Sequence, residues 1–303
     1  MQKTDIAIIG AGTAGMSAAI YAKRAGKNVV MLEGYMPGGQ IVVTPEVDNY
    51  PALGKVSGYD FAMGLYNQAT ELGTEMISAE VKKVSRSGGG FLIEYDGGEL
   101  WAKALIIATG AKNRKLEVED EEKLTGYGVS YCATCDGAFF RGKTVAVVGG
   151  GNTAFEDAEV LASMCSKVYL VHRREGFRAE PEKVAKVKNM PNVEFVLNAK
   201  VASLIGGDKV EGVILEDTVT GERKELKLDG VFVAVGQTPS TDIFEGLVRR
   251  DKAGYIVADE SCVAGDGVFV AGDCRTKKVR QLVTAAADGS VAALAASEYC
   301  SAD

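Results

Sequence analysis

Two glycine-rich turns, each set between an apolar run and a helix-forming stretch, constrain this chain more than any other feature. The first is Gly10-Ala-Gly12-Thr-Ala14-Gly15 and the second is Gly149-Gly-Gly151-Asn152-Thr153-Ala154. Residues 5–9, ahead of the first turn, are a short run of the buried parallel-strand type. Residues 14–25 read as a helix with small residues toward a sheet, and residues 28–32 as the next strand, closed by Glu33. In such a unit the glycines let backbone approach a pyrophosphate, which meets the free N–H groups of the helix start. An acid closing the second strand accepts hydrogen bonds from a ribose.

The same grammar recurs as strand 143–148, helix 153–163 and strand 167–171. Where the first unit ends in Glu33, the second continues into His172-Arg173-Arg174, with Arg178 four residues on. Cations there suit a 2′-phosphate that a carboxylate would repel, so the second site is expected to take NADPH over NADH. His172 is the only histidine, which excludes a His-based triad. It either lines the nucleotide pocket or has a plain structural role.

Apolar runs at 104–110 and 231–236, each ending in small residues and each followed by a polar segment, flank the second unit. Residues 268–273 then return to the first unit, and an Ala-rich helix from 282 to 299 closes the chain. The expected fold is α/β, with two Rossmann-like, three-layer nucleotide-binding domains. The boundaries read as 1–113 and 243–303 for a discontinuous first domain, with 114–242 inserted into it.

A net charge of −7 and the lack of any basic run argue against nucleic acid as a partner. No apolar stretch approaches the ~20 residues of a membrane span, and the first strand begins at residue 5 with no leader read ahead of it. The cytosol is the expected compartment.

Fourteen residues before the second turn stands Cys132-Ala-Thr-Cys135-Asp136. A close pair of this kind cycles between disulfide and dithiol without backbone rearrangement. Half a zinc site is the rival reading, but structural zinc wants four ligands. Cys165, Cys262, Cys274 and Cys300 stand alone and read as small buried hydrophobes or surface thiols. Asp136 is placed to give a proton to a leaving thiolate, and equally to cap the turn at Gly137-Ala-Phe-Phe140; the two roles are compatible. A thiolate formed at a helix start is stabilised there.

A nicotinamide gives up hydride as a two-electron unit, and direct attack on a disulfide is poor chemistry. A flavin between them solves the problem, which makes the first turn an FAD site and the second an NADPH site. Further flavin supports are expected at Gly39, Gln40, Asn49, Gly272 and Asp273, the last as acceptor for ribityl hydroxyls. Arg280, Gln281 and Leu282 open the last helix, whose N–H groups face charge developing on the reduced ring.

Over essentially its whole length the chain resembles the low-molecular-weight thioredoxin reductases. The resemblance rests on residues 10–15, 38–40, 129–137, 149–154, 172–179, 271–273 and 280–281, all in the family's order. It implies a homodimer with FAD, NADPH as reductant and a thioredoxin disulfide as acceptor. Carried over by position, Cys135 faces the flavin, Cys132 attacks thioredoxin and Asp136 is the acid. The dithiol and the NADPH turn lie in one domain, so the resemblance also implies a rotation, hinged near 112–119 and 237–242, that presents them alternately. Val42-Val43 and residues 51–57 depart from the family pattern, and neither departure touches the redox pair.

Other classes stay within reach of the same fold. A dithiol oxidase or a ferredoxin-fed reductase keeps the cysteines but tends to lose the arginine set. A ferredoxin–NADP reductase keeps the arginines without the cysteines. The peroxide-reducing flavoprotein of the superfamily carries an additional redox domain before the first strand. A non-enzymatic nucleotide sensor would have no use for an intact dithiol. The acceptor stays open among thioredoxin, a thioredoxin-like protein and a glutaredoxin-like one.

Overall fold

The computed structural model describes residues 1–302. The chain forms two compact units: Met1–Lys112 together with the chain from Thr238 onward, and Asn113–Gln237.

The first unit opens with β1 (Gln2–Ile9), α1 (Thr13–Arg24), β2 (Val29–Glu33), α2 (Gly58–Glu71) and β3 (Glu75–Ser78). A hairpin, β4 (Val81–Ser87) and β5 (Gly90–Tyr95), leads into β6 (Gly98–Ile107) and the short β7 (Ala111–Asn113). Strand β1 pairs in parallel with both β2 and β6, which places it inside the sheet. Ile6 and Ile8 pack with Met16, Ala18 and Ala22 of α1, while Ala7 and Ile9 pack toward Phe91 and Ile93 of the hairpin. This double burial explains why residues 6–9 are uniformly apolar. The sequence reading started β6 at 104 and missed the hairpin. Outer residues of β6 alternate, with Leu100 and Ala102 buried between more exposed neighbours, so their apolar signal is diluted.

The second unit carries α3 (Glu121–Leu124), β8 (Val129–Ser130), α4 (Ala133–Asp136), β9 (Thr144–Val148), α5 (Asn152–Ala162) and β10 (Lys167–His172). It continues with α6 (Pro181–Lys188), β11 (Val193–Leu197), β12 (Ala199–Gly206), β13 (Val210–Asp217), β14 (Arg223–Lys227) and β15 (Gly230–Val233). Its parallel sheet runs β11-β10-β9-β15-β8, and β12-β13-β14 form a separate antiparallel sheet. The same alternation orders its layers. Val145 and Val147 pack with Phe155 and Leu161 of α5, whereas Ala146 and Val148 pack with Val213 and Leu215 of β13.

The chain crosses back through β16 (Gln237–Pro239), which pairs with β7 in a two-stranded ribbon. That pairing puts the second crossing five residues ahead of residue 242. Strands β17 (Val263–Gly265) and β18 (Val268–Val270) extend the first sheet to the order β17-β18-β6-β1-β2-β3. The last helix, α7 (Leu282–Ser301), lies along α1, close enough that a Cβ on Gly289 would sit 2.2 Å from the Ala14 carbonyl oxygen. Among the described residues no helix is long and apolar enough to cross a membrane.

Candidate active site

The first glycine turn is built for close approach. Gly10 has φ +103°, and a Cβ there would lie 2.4 Å from the Ala108 carbonyl oxygen. Gly15 opens no space either, since its Cβ would meet the Gly10 oxygen at 1.9 Å. Gly12, by contrast, has nothing nearer than the Gly38 oxygen at 4.0 Å, so the turn is open on that side, with Gly39 beside it. Ala14 meets Gly272, whose Cβ would come within 2.8 Å of it. The Glu33 carboxylate already accepts the Ala11 N–H at 2.8 Å and the Tyr35 N–H at 3.0 Å. It therefore braces the turn as well as offering lone pairs outward. Gln40 donates to the Ala111 carbonyl, and Asn49 reaches Gln281 at 3.5 Å. Of the two departures noted in sequence, Val42 packs over Gly38 and Val43 is exposed.

Asp273 has a buried Oδ1 with no hydrogen-bond partner, and burial raises its pKa above the ordinary carboxyl value. A buried acceptor without a donor is costly unless a ligand supplies one. The loop that holds it is anchored by Asp288, which accepts from Arg275 at 2.8 and 2.9 Å, from Lys277 at 2.7 Å and from the Gly272 N–H at 3.0 Å. Burial pushes the Asp288 carboxyl up, but the two cations outweigh it and hold the group below its usual range. Arg280 stacks on Tyr255 with its Nε 3.4 Å from the Asp273 carbonyl oxygen. Gln281 and Thr284 close a reciprocal capping box at the start of α7, where Leu282 is the first helical residue. Ala14 follows β1 and Gly272-Asp273 follow β18, so these residues meet beyond the C-terminal ends of two inner strands of the first sheet, where Arg280 also reaches the Asp273 carbonyl.

In the second turn a Cβ on Gly149 would meet the Ala234 oxygen at 2.4 Å, while Gly151 is open. Ala154 is buried at the base of α5 and Thr153 is exposed. Asn152 exchanges two hydrogen bonds with Glu180, at 2.8 and 2.9 Å. The Arg178 N–H donates to the Gly150 carbonyl at 2.8 Å, so the loop after β10 is tied to the turn at two points. Arg173, Arg174 and Arg178 are exposed, and among the described residues none of their guanidinium groups has an ion-pair partner. His172 sits beneath the turn, buried, so that a Cβ on Gly150 would lie 2.2 Å from its ring. The ring stacks on Phe177 and its Nε2 lies 3.2 Å from the Gly176 carbonyl oxygen. Burial first, and then the three arginines, hold this histidine below its ordinary pKa.

Cys132 and Cys135 are joined by a disulfide, both half-buried, with Cα atoms 5.3 Å apart. Cys132 caps the single turn α4: its Sγ accepts the Cys135 N–H at 3.2 Å, and its carbonyl accepts the Asp136 N–H at 3.0 Å. Asp136 does not cap the next turn through its side chain, against one of its two sequence readings. Its carboxylate instead takes a proton donor from Ser130 at 2.6 Å. Beneath α4 the Asp157 carboxyl of α5 faces the Ala133 N–H, and burial pushes it up to about 7. No group of three or more His, Cys, Asp or Glu able to hold a metal occurs among the described residues.

A closed cysteine pair in the same unit as a nucleotide-type turn is the arrangement of a disulfide reductase, and relatives decide which. The family described as pyridine nucleotide-disulphide oxidoreductase matches residues 4–289. The thioredoxin reductase of Mycoplasma pneumoniae is 41% identical over 293 residues, covering 96% of this chain and 93% of that protein. That of Bacillus subtilis is 41% identical over 297 residues, covering 97% and 94%. The chain belongs to the thioredoxin reductases of the pyridine nucleotide-disulphide oxidoreductase family. Among solved structures, the thioredoxin reductase from Streptococcus pyogenes superposes with a TM-score of 0.95 at 38% identity, over 99% of each chain. The thioredoxin reductase from Giardia duodenalis gives 0.94 at 36% identity, over 99% of this chain and 100% of that one.

For a thioredoxin reductase, the residues that sequence reasoning missed are the supports. Ser130, Glu121, Asp157, Glu180 and Asp288 each hold a functional segment through a carboxylate or hydroxyl. Only Ser130 lay inside a quoted motif, at residues 129–137. The others carry no local signal, because each has a partner that arrives from 10 to 28 residues away.

Proposed function

We propose that the chain is an NADPH-dependent thioredoxin-disulfide reductase carrying FAD. The observation that carries this reading is the Cys132–Cys135 disulfide, half-exposed in the same unit as a glycine turn flanked by three unpaired arginines. FAD, when bound, takes a hydride from NADPH and passes two electrons to sulfur. The residues around the first turn fit it: Gly10 and Gly15 let the turn close tightly on its own backbone, Gly12 leaves it open toward a pyrophosphate, and Glu33 faces a ribose. The orphaned Asp273 oxygen awaits a ribityl hydroxyl. Arg173, Arg174 and Arg178 hold the 2′-phosphate, and Asn152 and Thr153 open the helix over the nucleotide. The unit formed by residues 1–112 and 238 onward is then the FAD domain, and residues 113–237 the NADPH domain.

Cys135 receives electrons and Cys132 delivers them, with Asp136 as proton donor to the departing thiolate. Both the dithiol and the NADPH turn belong to one unit, so the reading includes their alternate presentation by rotation about the paired crossing strands. Rigid cross-linking of the two units should then stop steady-state turnover and leave single half-reactions intact. A homodimer is supported by the exposed apolar side chains of Val283, Val291 and Leu294 along α7. A cytoplasmic setting is supported by the buried thiols of Cys165, Cys262 and Cys274, which form no disulfide.

The test is anaerobic. Purified yellow protein is mixed with NADPH or NADH, and oxidised thioredoxin is then added. Bleaching by NADPH followed by reoxidation on adding thioredoxin is expected. Bleaching by neither nucleotide would sink the reading, and bleaching without reoxidation would transfer it to another disulfide acceptor.

A further inference from the structure

We infer that Ser130 is a positioning residue for the thiol–disulfide step, holding the Asp136 carboxyl and the Cys132 backbone in one fixed relay. The inference rests on the reading of Asp136 as the acid. Ser130 is 4% exposed, at the end of β8, and three atoms compete for its hydroxyl. Its oxygen accepts the Cys132 N–H at 3.1 Å. Its proton has two possible acceptors, Asp136 Oδ2 at 2.6 Å and the Cys132 carbonyl at 3.4 Å. The shorter contact, to a carboxylate, takes it. The chain of bonds therefore runs one way, from Cys132 N–H through Ser130 to Asp136 Oδ2.

That direction has a chemical result. The donor on Oδ2 fixes the Asp136 carboxyl relative to the backbone of Cys132. In the exchange, Cys132 passes its thiol proton to the Asp136 carboxylate and attacks one sulfur of the partner disulfide as a thiolate; the partner's S–S bond breaks, a mixed disulfide forms, and the released partner sulfur takes that proton from Asp136. Cys135 then attacks Cys132, its own proton passing to Asp136 and on to the second partner sulfur. Two electrons and two protons move from the pair to the partner, and Asp136 ends as it began. Because Ser130 is bonded to both Cys132 and Asp136, the acid stays in register with the attacking sulfur through both displacements.

The experiment compares Ser130→Ala, Ser130→Thr and Asp136→Asn in the FAD-loaded enzyme by rapid mixing. The rate of reoxidation of the two-electron-reduced protein by oxidised thioredoxin is expected to fall about tenfold in Ser130→Ala, and to return to within about threefold in Ser130→Thr, which keeps the hydroxyl. The rate of flavin bleaching by NADPH, read in the same preparations, separates this from a folding defect by staying within about twofold of the parent. If Asp136→Asn slows reoxidation while Ser130→Ala does not, or if Thr fails to restore it, the inference is overturned and the acid reading stands. If Asp136→Asn reoxidises at the parent rate, the acid reading falls and the relay with it.

Discussion

The Tyr131 hydroxyl donates to the Glu121 carboxylate at 2.7 Å, one residue before the redox pair begins. Glu121 is 3% exposed and also accepts the N–H groups of Leu116 and Glu117 at 2.8 and 2.9 Å. The segment by which the chain enters its second unit is thus folded around one buried carboxylate that also holds the residue next to Cys132. Burial, and then the Glu121 carboxylate, raise the Tyr131 hydroxyl well above its normal pKa, so it stays a donor.

Removing that donor separates two contributions. Tyr131→Phe should cost about 1.5–3 kcal/mol, the worth of a hydrogen bond to a charged group. Glu121→Ala should cost more, about 3–5 kcal/mol, because two part-buried N–H groups and a phenol lose their acceptor together. Urea unfolding followed by circular dichroism measures both. Equal losses would mean that the tyrosine alone organises the segment.

Asp157 makes stability depend on pH. Its carboxyl is raised from 3.8 to about 7, first by burial, with the Ala133 N–H opposing and Glu156 adding to the rise. The folded protein therefore binds the proton more tightly than the unfolded chain. This contribution is complete below about pH 4 and is lost as pH rises to about 7. The shift corresponds to no more than ~4 kcal/mol. Asp157→Asn removes the charge, so its melting temperature should match the parent below about pH 4 and exceed it by several degrees at about pH 8. Parallel pH curves for the two proteins would rule out Asp157 as the titrating group.

The Arg275–Asp288–Lys277 cluster should be intolerant of losing its anion. Arg275 is 2% exposed, and Asp288→Asn leaves two buried cations short of a counter-charge, costing about 3–5 kcal/mol. The Gly272 N–H then has a weaker acceptor, and the loop carrying Asp273 loosens. Faster release of flavin on dilution, with a lower melting temperature, is the expected pair of results. A destabilised variant that holds flavin as tightly as the parent would uncouple the cluster from the site.

Nucleotide preference should reside in the three open guanidinium groups. Replacing Arg173 and Arg178 together by Gln should raise KM for NADPH by at least tenfold per charge pair lost, about 1.4 kcal/mol or more, while KM for NADH changes little. Steady-state kinetics with both nucleotides distinguishes this from general damage, which would raise both.

What sequence could reveal was what short stretches encode. The two glycine turns, the Cys132/Cys135 pair and the arginines after β10 act through residues adjacent in the chain, so spacing alone carries their meaning. Glu180 closing on Asn152, Asp157 under Ala133 and Asp288 under Gly272 depend on helices and loops meeting after folding. Glu180 and Asp157 are acids near other acids, and Asp288 is an isolated acid in an Ala-rich stretch; in sequence none is distinguishable from a solvated one. At His172 the sequence leaves a nucleotide contact and a plain structural role both open, and the ring's packing beneath Gly150 and against Phe177 is visible only in the folded chain.

The paired crossing strands carry a consequence for how such a molecule can be made. The second unit begins and ends at neighbouring points: Gln237 Nε2 donates to Asn113 Oδ1 at 2.8 Å, and the Arg114 N–H to the Gly236 carbonyl at 2.9 Å. As a length of chain it is a cassette whose two ends lie side by side. A gene segment encoding residues 113–237 can therefore be cut out or exchanged for a homologue's, with the host unit rejoined through a short turn. The electron donor and the disulfide outlet would travel together in that one exchange, and the flavin scaffold would stay behind unchanged.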